Sequence, residues 1–331
     1  MPALEAIDLF AGAGGLSLGL EAAGFAVVAA AELDPDACTS FGLRHPSTRV
    51  LQGDIAGVVW RPWRAQVALV AGGPPCQPFS VGGKRLAAAD PRNGLPQFVR
   101  AVAELRPAAF LLENVAGLAA GAKRRYLDGL VGQLEALGYQ VSWSIVQAAD
   151  YGVPQLRRRL FVVGTPRSPF TFPPATHGRL GKRPWVASGS VIDATTPRGE
   201  PNRAIVTYAR RPSLRPDPYH GHLYNGGGRP INLARPAPTL LASMGGNKTP
   251  WVDPLGTVPG YHAHLKSGGT PREGCVPAAR RITVEEAARL QTFAAGTTFA
   301  GLRTSQYRQV GNAVPPLLAE HLARALSRQL S

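Results

Sequence analysis

The run Ala6-Ile7-Asp8-Leu9-Phe10, which passes without a break into Ala11-Gly12-Ala13-Gly14-Gly15, decides the reading of this chain. An apolar run of strand length that enters glycines and then a helical pattern, Leu16 to Ala23 before Gly24, reads as a buried strand handing over to a helix. Glycines at such a turn let a ligand approach the backbone and let the helix start close to the strand. Working outward, Ala26 to Ala31 reads as a second strand, Val67 to Ala71 as a third and Ala108 to Leu112 as a fourth. Tyr126 to Leu137 reads as a helix stopped by Gly138, and Gln140 to Gln147 and Leu160 to Gly164 read as further strands. Strand, helix, strand in this order predicts an α/β fold with a mostly parallel, doubly wound, Rossmann-like sheet.

Near Pro166 the texture changes. From there to about Ala279 the chain is rich in Gly, Pro, His, Arg and Thr, which predicts a smaller, irregular second domain of loops and short strands. Helical periodicity returns at Thr283 to Phe293, where Thr283 and Glu286 have capping-box spacing. Val314 to Leu330 predicts a last helix, with Pro315 and Pro316 tolerated in its first turn, packing back on the first domain. The expected divisions are 1–173, 174–300 and 301–331.

The 331 residues are enough for two domains, and the 44% hydrophobic fraction supplies an ordinary core. Lys plus Arg number 36 against 21 Asp plus Glu, a formal charge of +15. Charge alone leaves two readings open, a generally basic proteome and a polyanion partner whose binding is salt-sensitive. The three cysteines, Cys38, Cys76 and Cys275, do not suggest a disulfide framework, and no Cys/His cluster suggests a metal. Neither a signal peptide nor an apolar run of membrane-spanning length is visible, so a cytoplasmic protein is expected.

Glu32 ends the second strand, 20 positions after Gly12, where a carboxylate accepts hydrogen bonds from ribose hydroxyls. Asp54, in Gln52-Gly53-Asp54-Ile55, lies where an acid can bind an adenine amino group. Together they point to an adenosine-type ligand without separating a nicotinamide dinucleotide from S-adenosylmethionine. Gly72-Gly73-Pro74-Pro75-Cys76-Gln77-Pro78-Phe79-Ser80 follows an apolar strand directly, which puts Cys76 at the mouth of the sheet rather than in its core. Glu113-Asn114-Val115 ends another strand, and Gln155-Leu156-Arg157-Arg158-Arg159 begins one.

Asp8-Leu9-Phe10-Ala11-Gly12 with Gly14-Gly15, Pro74-Pro75-Cys76-Gln77-Pro78-Phe79-Ser80, Glu113-Asn114-Val115, Gln155-x-Arg157-x-Arg159 and Gln309-Val310-Gly311-Asn312-Ala313-Val314 occur in this order. The set resembles the ordered motifs of the cytosine-C5 DNA methyltransferases of bacterial restriction-modification systems, over nearly the whole chain except about Thr176 to Ala279. The resemblance implies S-adenosylmethionine as methyl donor, leaving as S-adenosylhomocysteine. Its site would be lined by Phe10, Gly12, Ala13, Gly15, Glu32, Leu33, Asp54, Ile55, Pro75, Leu95, Asn312 and Val314. It implies Cys76 as the nucleophile toward C6 of cytosine, Glu113 sharing a proton with ring N3, and Arg159 binding the O2 carbonyl. Arg157 joins the reacting set, chiefly as support for loop and phosphate, while Arg158 departs from the family's spacing and only adds positive charge.

Because a thiol must approach the face of the ring, the base must leave the duplex. Ser80 to Leu86, with Ser80, Lys84 and Arg85, is implied to be a mobile loop closing over the DNA. The motif-poor segment is implied to be the target-recognition domain. There Thr239 lies near the phosphate of the flipped base, and Ser243, Asn247 and Lys248 reach base edges. The expected partner is double-stranded DNA, with a monomeric enzyme associated with the nucleoid and a separate cognate endonuclease. Three alternatives stay open on the sequence. They are a tRNA methyltransferase of the same fold, an inactive DNA-binding relative, and a dehydrogenase, which leaves the Pro-Pro-Cys-Gln run unexplained.

Overall fold

A computed structural model describes residues 3–75, 93–179 and 182–330. The quoted run forms strand β1, Leu4–Leu9, in which Ala6, Ile7, Asp8 and Leu9 are buried. Continuous burial is what a strand covered on both faces requires. The chain then gives helix α1, Gly15–Ala22, strand β2, Phe25–Glu32, helix α2, Pro35–Arg44, and strand β3, Arg49–Gln52. Helix α2 starts where Asp34 accepts from the N–H groups of Asp36 and Ala37 and Pro35 takes a first-turn position. Strand β4, Leu69–Gly72, helix α3, Leu95–Leu105, strand β5, Ala109–Val115, and helix α4, Arg124–Ala136, continue the alternation. Strands β6, Gln140–Gln147, and β7, Arg158–Thr165, complete it.

These strands make one seven-stranded sheet in the order β3-β2-β1-β4-β5-β7-β6. The first five pair in parallel, and β7 is antiparallel to both β5 and β6. The order reverses between β1 and β4: the chain first winds outward to β3, then returns to the other side of β1. Strand ends are in register across that reversal, with Leu9 opposite both Ala31 and Gly72, and Gly72 opposite Leu112. The glycine loop, Glu32, the Gly73-Pro74-Pro75 run and Glu113 therefore emerge along one edge of the sheet. Beneath them, Leu95, Phe98 and Val102 of α3 pack on Phe110, whose ring meets Phe98 and Tyr139 edge-on.

The chain divides into two compact units. The first comprises 1–151, 158–176 and 313–331, including helix α8, Pro316–Leu330, which packs on α1. The second comprises 152–157 and 177–312. The units differ from the expected divisions in three ways: the short Gly152–Arg157 stretch belongs with the second unit, 174–176 belong with the first, and 301–312 belong with the second. The second unit carries short strands β8, Tyr208–Ser213, β9, His222–Tyr224, β10, Trp251–Val252, and β11, Arg280–Arg281. Its helices are α5, Thr257–Lys266, α6, Val284–Leu290, and α7, Arg303–Asn312. Its own core centres on Leu223, Tyr224, Trp251, Val258 and Tyr261. The capping box at Thr283 and Glu286 opens α6. Among the described residues no helix is long and apolar enough to cross a membrane.

One buried charge marks the first turn. Asp8 is fully buried and accepts a hydrogen bond from the Ser17 hydroxyl at 2.6 Å. Burial pushes its carboxyl from the ordinary 3.8 up to about 7, with the Ser17 bond opposing the shift. The folded state thus binds the proton more tightly than the unfolded chain. Its favourable contribution is complete below about pH 4 and is lost as pH rises toward about 7. Asp8→Asn is expected to flatten this part of the stability profile and to stabilise the protein most above pH 7. Urea unfolding of both proteins between pH 4 and 8 checks this; parallel profiles would contradict it.

Candidate active site

Two separate carboxylates organise the edge of the sheet. The first is Glu32, at the end of β2. Its Oε2 accepts from the Gly12 N–H at 2.8 Å, and its Oε1 accepts from the N–H groups of Leu33 and Asp34 at 2.9 and 2.8 Å. These bonds fix the carboxylate against the glycine loop, where Phe10, Gly12 and Gly14 all have positive φ. Glu32 also ties down the neighbouring strand end, since the Gly53 N–H donates to its carbonyl at 2.9 Å. Asp54 follows at once, exposed, with Oδ1 accepting from the Ala56 N–H. Leu33 is 68% exposed next to Glu32, an apolar side chain held in the open beside two acceptors. Ala13, Gly15, Ile55 and Leu95 are buried. Acids for hydroxyl and amino donors, an apolar neighbour and a glycine turn are the donor set that an adenosyl group requires, so these residues fit such a ligand.

The second carboxylate is Glu113 on β5. Antiparallel pairing sets Val115 opposite Arg159 and Glu113 opposite Phe161, so Glu113 and Arg159 are diagonal neighbours on one face. Arg159 Nε lies 2.9 Å from Glu113 Oε1, with both side chains largely buried. Arg159 Nη1 donates to the Arg158 carbonyl at 2.9 Å. A Cβ placed on Gly73 would lie 3.2 Å from Glu113 Oε2, so the backbone leading to the Pro-Pro run passes directly over this carboxylate.

That run is pinned from two sides. The Asn114 side-chain amide donates to the Pro74 carbonyl at 3.0 Å, and the Gly94 N–H donates to the Pro75 carbonyl at 3.0 Å. Gly94 has to be glycine for this: a Cβ there would sit 2.7 Å from Pro75 Cδ and 2.9 Å from the Phe10 ring. Phe10, Pro75 and Gly94 thus meet, joining the glycine loop to the platform from which Cys76 follows. Cys76, Ser80, Lys84 and Arg85 lie outside the described residues. Asn114 and Gly94 were not assigned a role on the sequence. Their signal was present, an Asn directly after the strand-end acid and a Gly directly before Leu95, but only the long-range bonds give it meaning.

The arginines of Gln155-x-Arg157-x-Arg159 divide between tasks. Arg157, grouped above with the reacting residues, is 1% exposed and spends its guanidinium on backbone carbonyls. Nη1 donates to Leu240 at 3.1 Å, and Nη2 to Gly311 at 3.0 Å and Asn312 at 3.5 Å. Gln155 is equally buried, accepting from the Leu240 N–H at 3.0 Å and donating to the Gln291 side chain at 3.1 Å. The Thr239 hydroxyl donates to the Leu156 carbonyl at 2.6 Å. Arg157 is therefore a fastener within the second unit, holding the Thr239 loop and the end of α7. Ser243, Asn247 and Lys248 are exposed, and the Asn247 carbonyl accepts from the Gly228 N–H at 3.1 Å. Asn312 is exposed at the end of the second unit, and Val314 is buried in the first.

A glycine loop with its acid, a Pro-Pro platform and a buried Glu–Arg pair on adjoining strands define a methyltransferase-type site. The family model for C-5 cytosine-specific DNA methylase matches residues 4–186 and 254–328, and the chain belongs to that family; it is a DNA cytosine-5 methyltransferase. Two relatives are type II methyltransferases. M1.HphI of Haemophilus parahaemolyticus is 34% identical over 344 residues, covering 98% of this chain and 86% of that protein. M.NgoMIV of Neisseria gonorrhoeae is 32% identical over 345 residues, covering 98% and 97%. Among solved structures, Spodoptera frugiperda DNMT2 superposes with a TM-score of 0.73 at 18% identity, covering 98% of this chain and 100% of that one, which is a likeness of fold.

Arg157→Ala would strip three carbonyls of a buried, charged donor. The expected loss of unfolding free energy is roughly 2–5 kcal/mol, read by chemical denaturation. An unchanged denaturation midpoint would show that these carbonyls do not depend on it.

Proposed function

We propose that the enzyme methylates C5 of a cytosine turned out of a specific duplex DNA sequence, with S-adenosylmethionine as donor and a covalent bond between Cys76 and C6 as intermediate. The observation that carries this reading is the Glu113–Arg159 pair lying beside the pinned platform that leads to Cys76. C5 of cytosine is a weak nucleophile. Addition of the Cys76 thiolate to C6 forms the S–C6 bond while N3 takes a proton from Glu113, leaving an enamine whose electron density is at C5. Arg159 holds the O2 carbonyl with its remaining donors and stabilises charge developing on the ring. When bound, S-adenosylmethionine supplies the electrophilic methyl group. Loss of the C5 proton to a base then releases Cys76 as the S–C6 bond breaks, and N3 returns its proton to Glu113.

Glu32 accepts the ribose hydroxyls and Asp54 the adenine amino group. The backbone of Gly12, Ala13 and Gly15 approaches the donor, and Phe10, Leu33, Ile55, Pro75, Leu95, Asn312 and Val314 complete its site. The second unit reads the sequence. Residues 187–253, which lie between the two stretches matched by the family model, include Thr239, Ser243, Asn247 and Lys248. A region that differs from the family model while the flanks match it is where sequence specificity is expected to vary. The net charge of +15 favours a phosphate backbone as partner.

Transfer of tritiated methyl groups to duplex DNA tests the reading, with tRNA as the competing substrate. Cys76→Ser is expected to abolish transfer while duplex binding is retained, and Glu113→Gln is expected to lower kcat by about 100-fold or more. Full activity of Cys76→Ser would remove the thiol from the reaction, and label found only in tRNA would overturn the DNA substrate.

A further inference from the structure

The carbonyl side of the glycine loop is gripped by two consecutive residues to which the proposed reaction gives no role. Helix α2 ends at Arg44, and its C-cap is His45. Arg44 Nε and Nη2 both donate to the Ala13 carbonyl, at 3.0 and 2.8 Å, from a half-buried position. Burial lowers the Arg44 guanidinium from 12.5 to about 10. His45 is buried beside it, with Nε2 3.3 Å from the Gly14 carbonyl and Nδ1 2.8 Å from Glu21 Oε1 on α1. The ring is thus held between the Gly14 carbonyl and the Glu21 carboxylate. The Phe41 ring, 4.3 Å away, backs the imidazole, and the buried Asp8 lies within electrostatic range of it.

The fit leaves no slack. Gly14 has φ +83°, and a Cβ there would lie 2.5 Å from His45 Nε2 and 3.1 Å from the Phe41 ring. Because a peptide unit is planar and trans, turning the Gly14 carbonyl toward His45 turns the Gly15 N–H to the opposite side. On the other side of the loop, Glu32 holds the Gly12 N–H. The loop is thus stretched between a carboxylate on its amide side and two basic side chains on its carbonyl side.

We propose that Arg44 and His45 are positioning residues of the methyl-donor site, a clamp on the Ala13 and Gly14 carbonyls that presets the glycine loop for the adenosyl ligand. The proposal rests on the reading of that site as one for S-adenosylmethionine. A preset loop spares the ligand the cost of ordering it, so loss of the clamp acts on affinity.

Calorimetric titration of the full chain with S-adenosylhomocysteine, together with thermal unfolding without ligand, is the test. Arg44→Ala and His45→Gln are each expected to weaken binding by about tenfold or more. Arg44→Lys, which keeps the charge but has fewer donors, is expected to recover part of the loss, and KM for S-adenosylmethionine should rise more than kcat falls. Folded variants that bind within about twofold of the wild type would overturn the clamp. Should Arg44→Ala fail to fold, Arg44→Lys and His45→Gln decide by the same criterion, and loss of folding in all three would assign the pair to stability and overturn it as well. A wild-type protein that does not bind S-adenosylhomocysteine would instead overturn the reading of the site on which the clamp rests.

Discussion

The parallel pairing of β1 with both β2 and β4 is the constraint on which the rest depends. It places Leu9 opposite both Ala31 and Gly72, so two loops of different chemistry leave the sheet side by side. One is the glycine turn with Glu32, the other the Pro74-Pro75 platform. Crevices at such reversals are where open α/β sheets bind ligands, because strand ends diverge there and no connection crosses between them. Contact among Phe10, Pro75 and Gly94 closes the gap between the two loops, so a shift of one is felt by the other. The glycine turn and the platform are brought to one place by backbone register rather than by side-chain recognition.

Around that register the chain uses its charged side chains in two ways. Glu113 and Arg159 face each other as a largely buried ion pair on neighbouring strands. Arg157, two residues from Arg159, donates to the carbonyls of Leu240 and Gly311, and Arg44 places two donors on one loop oxygen. Arginine suits both tasks because its planar fork holds several acceptors at fixed angles. The difference lies in what the neighbouring backbone leaves unsatisfied.

Much of the first unit was legible because buried parallel strands are written as continuous apolar runs. Strands β1, β2, β4 and β5 lie where Ala6 to Phe10, Ala26 to Ala31, Val67 to Ala71 and Ala108 to Leu112 placed them, and the helix after β1 begins at Gly15. Helices α2, α3, α5 and α7 were not read from the pattern. Helix α2 carries Asp, Cys, Thr and Ser among few large apolar residues, and α5 contains Pro259 and Gly260, which locally signal a break. In α5 the Asp253 carboxylate compensates by accepting from the N–H groups of Thr257 and Val258. The motif residues were legible by type and spacing, but their tasks were not. That Arg157 holds the carbonyls of Leu240 and Gly311, 83 and 154 positions away, is written in no local pattern. The same holds for the Gly152–Arg157 stretch, which continues directly into β7 yet bonds through Leu156 to Ala237.

The central claim, that the aligned strand ends deliver a cysteine to C6 of a cytosine, is tested most directly by trapping the adduct. Duplex DNA whose cytosines carry fluorine at C5 cannot lose a proton from that carbon after methyl transfer, so the S–C6 bond is not released. Incubation with S-adenosylmethionine, followed by proteolysis and mass spectrometry, is predicted to give a peptide containing Cys76 joined to a methylated fluorocytosine nucleotide. Absence of any adduct from a preparation that methylates unmodified DNA, or an adduct on a residue other than Cys76, would contradict the account.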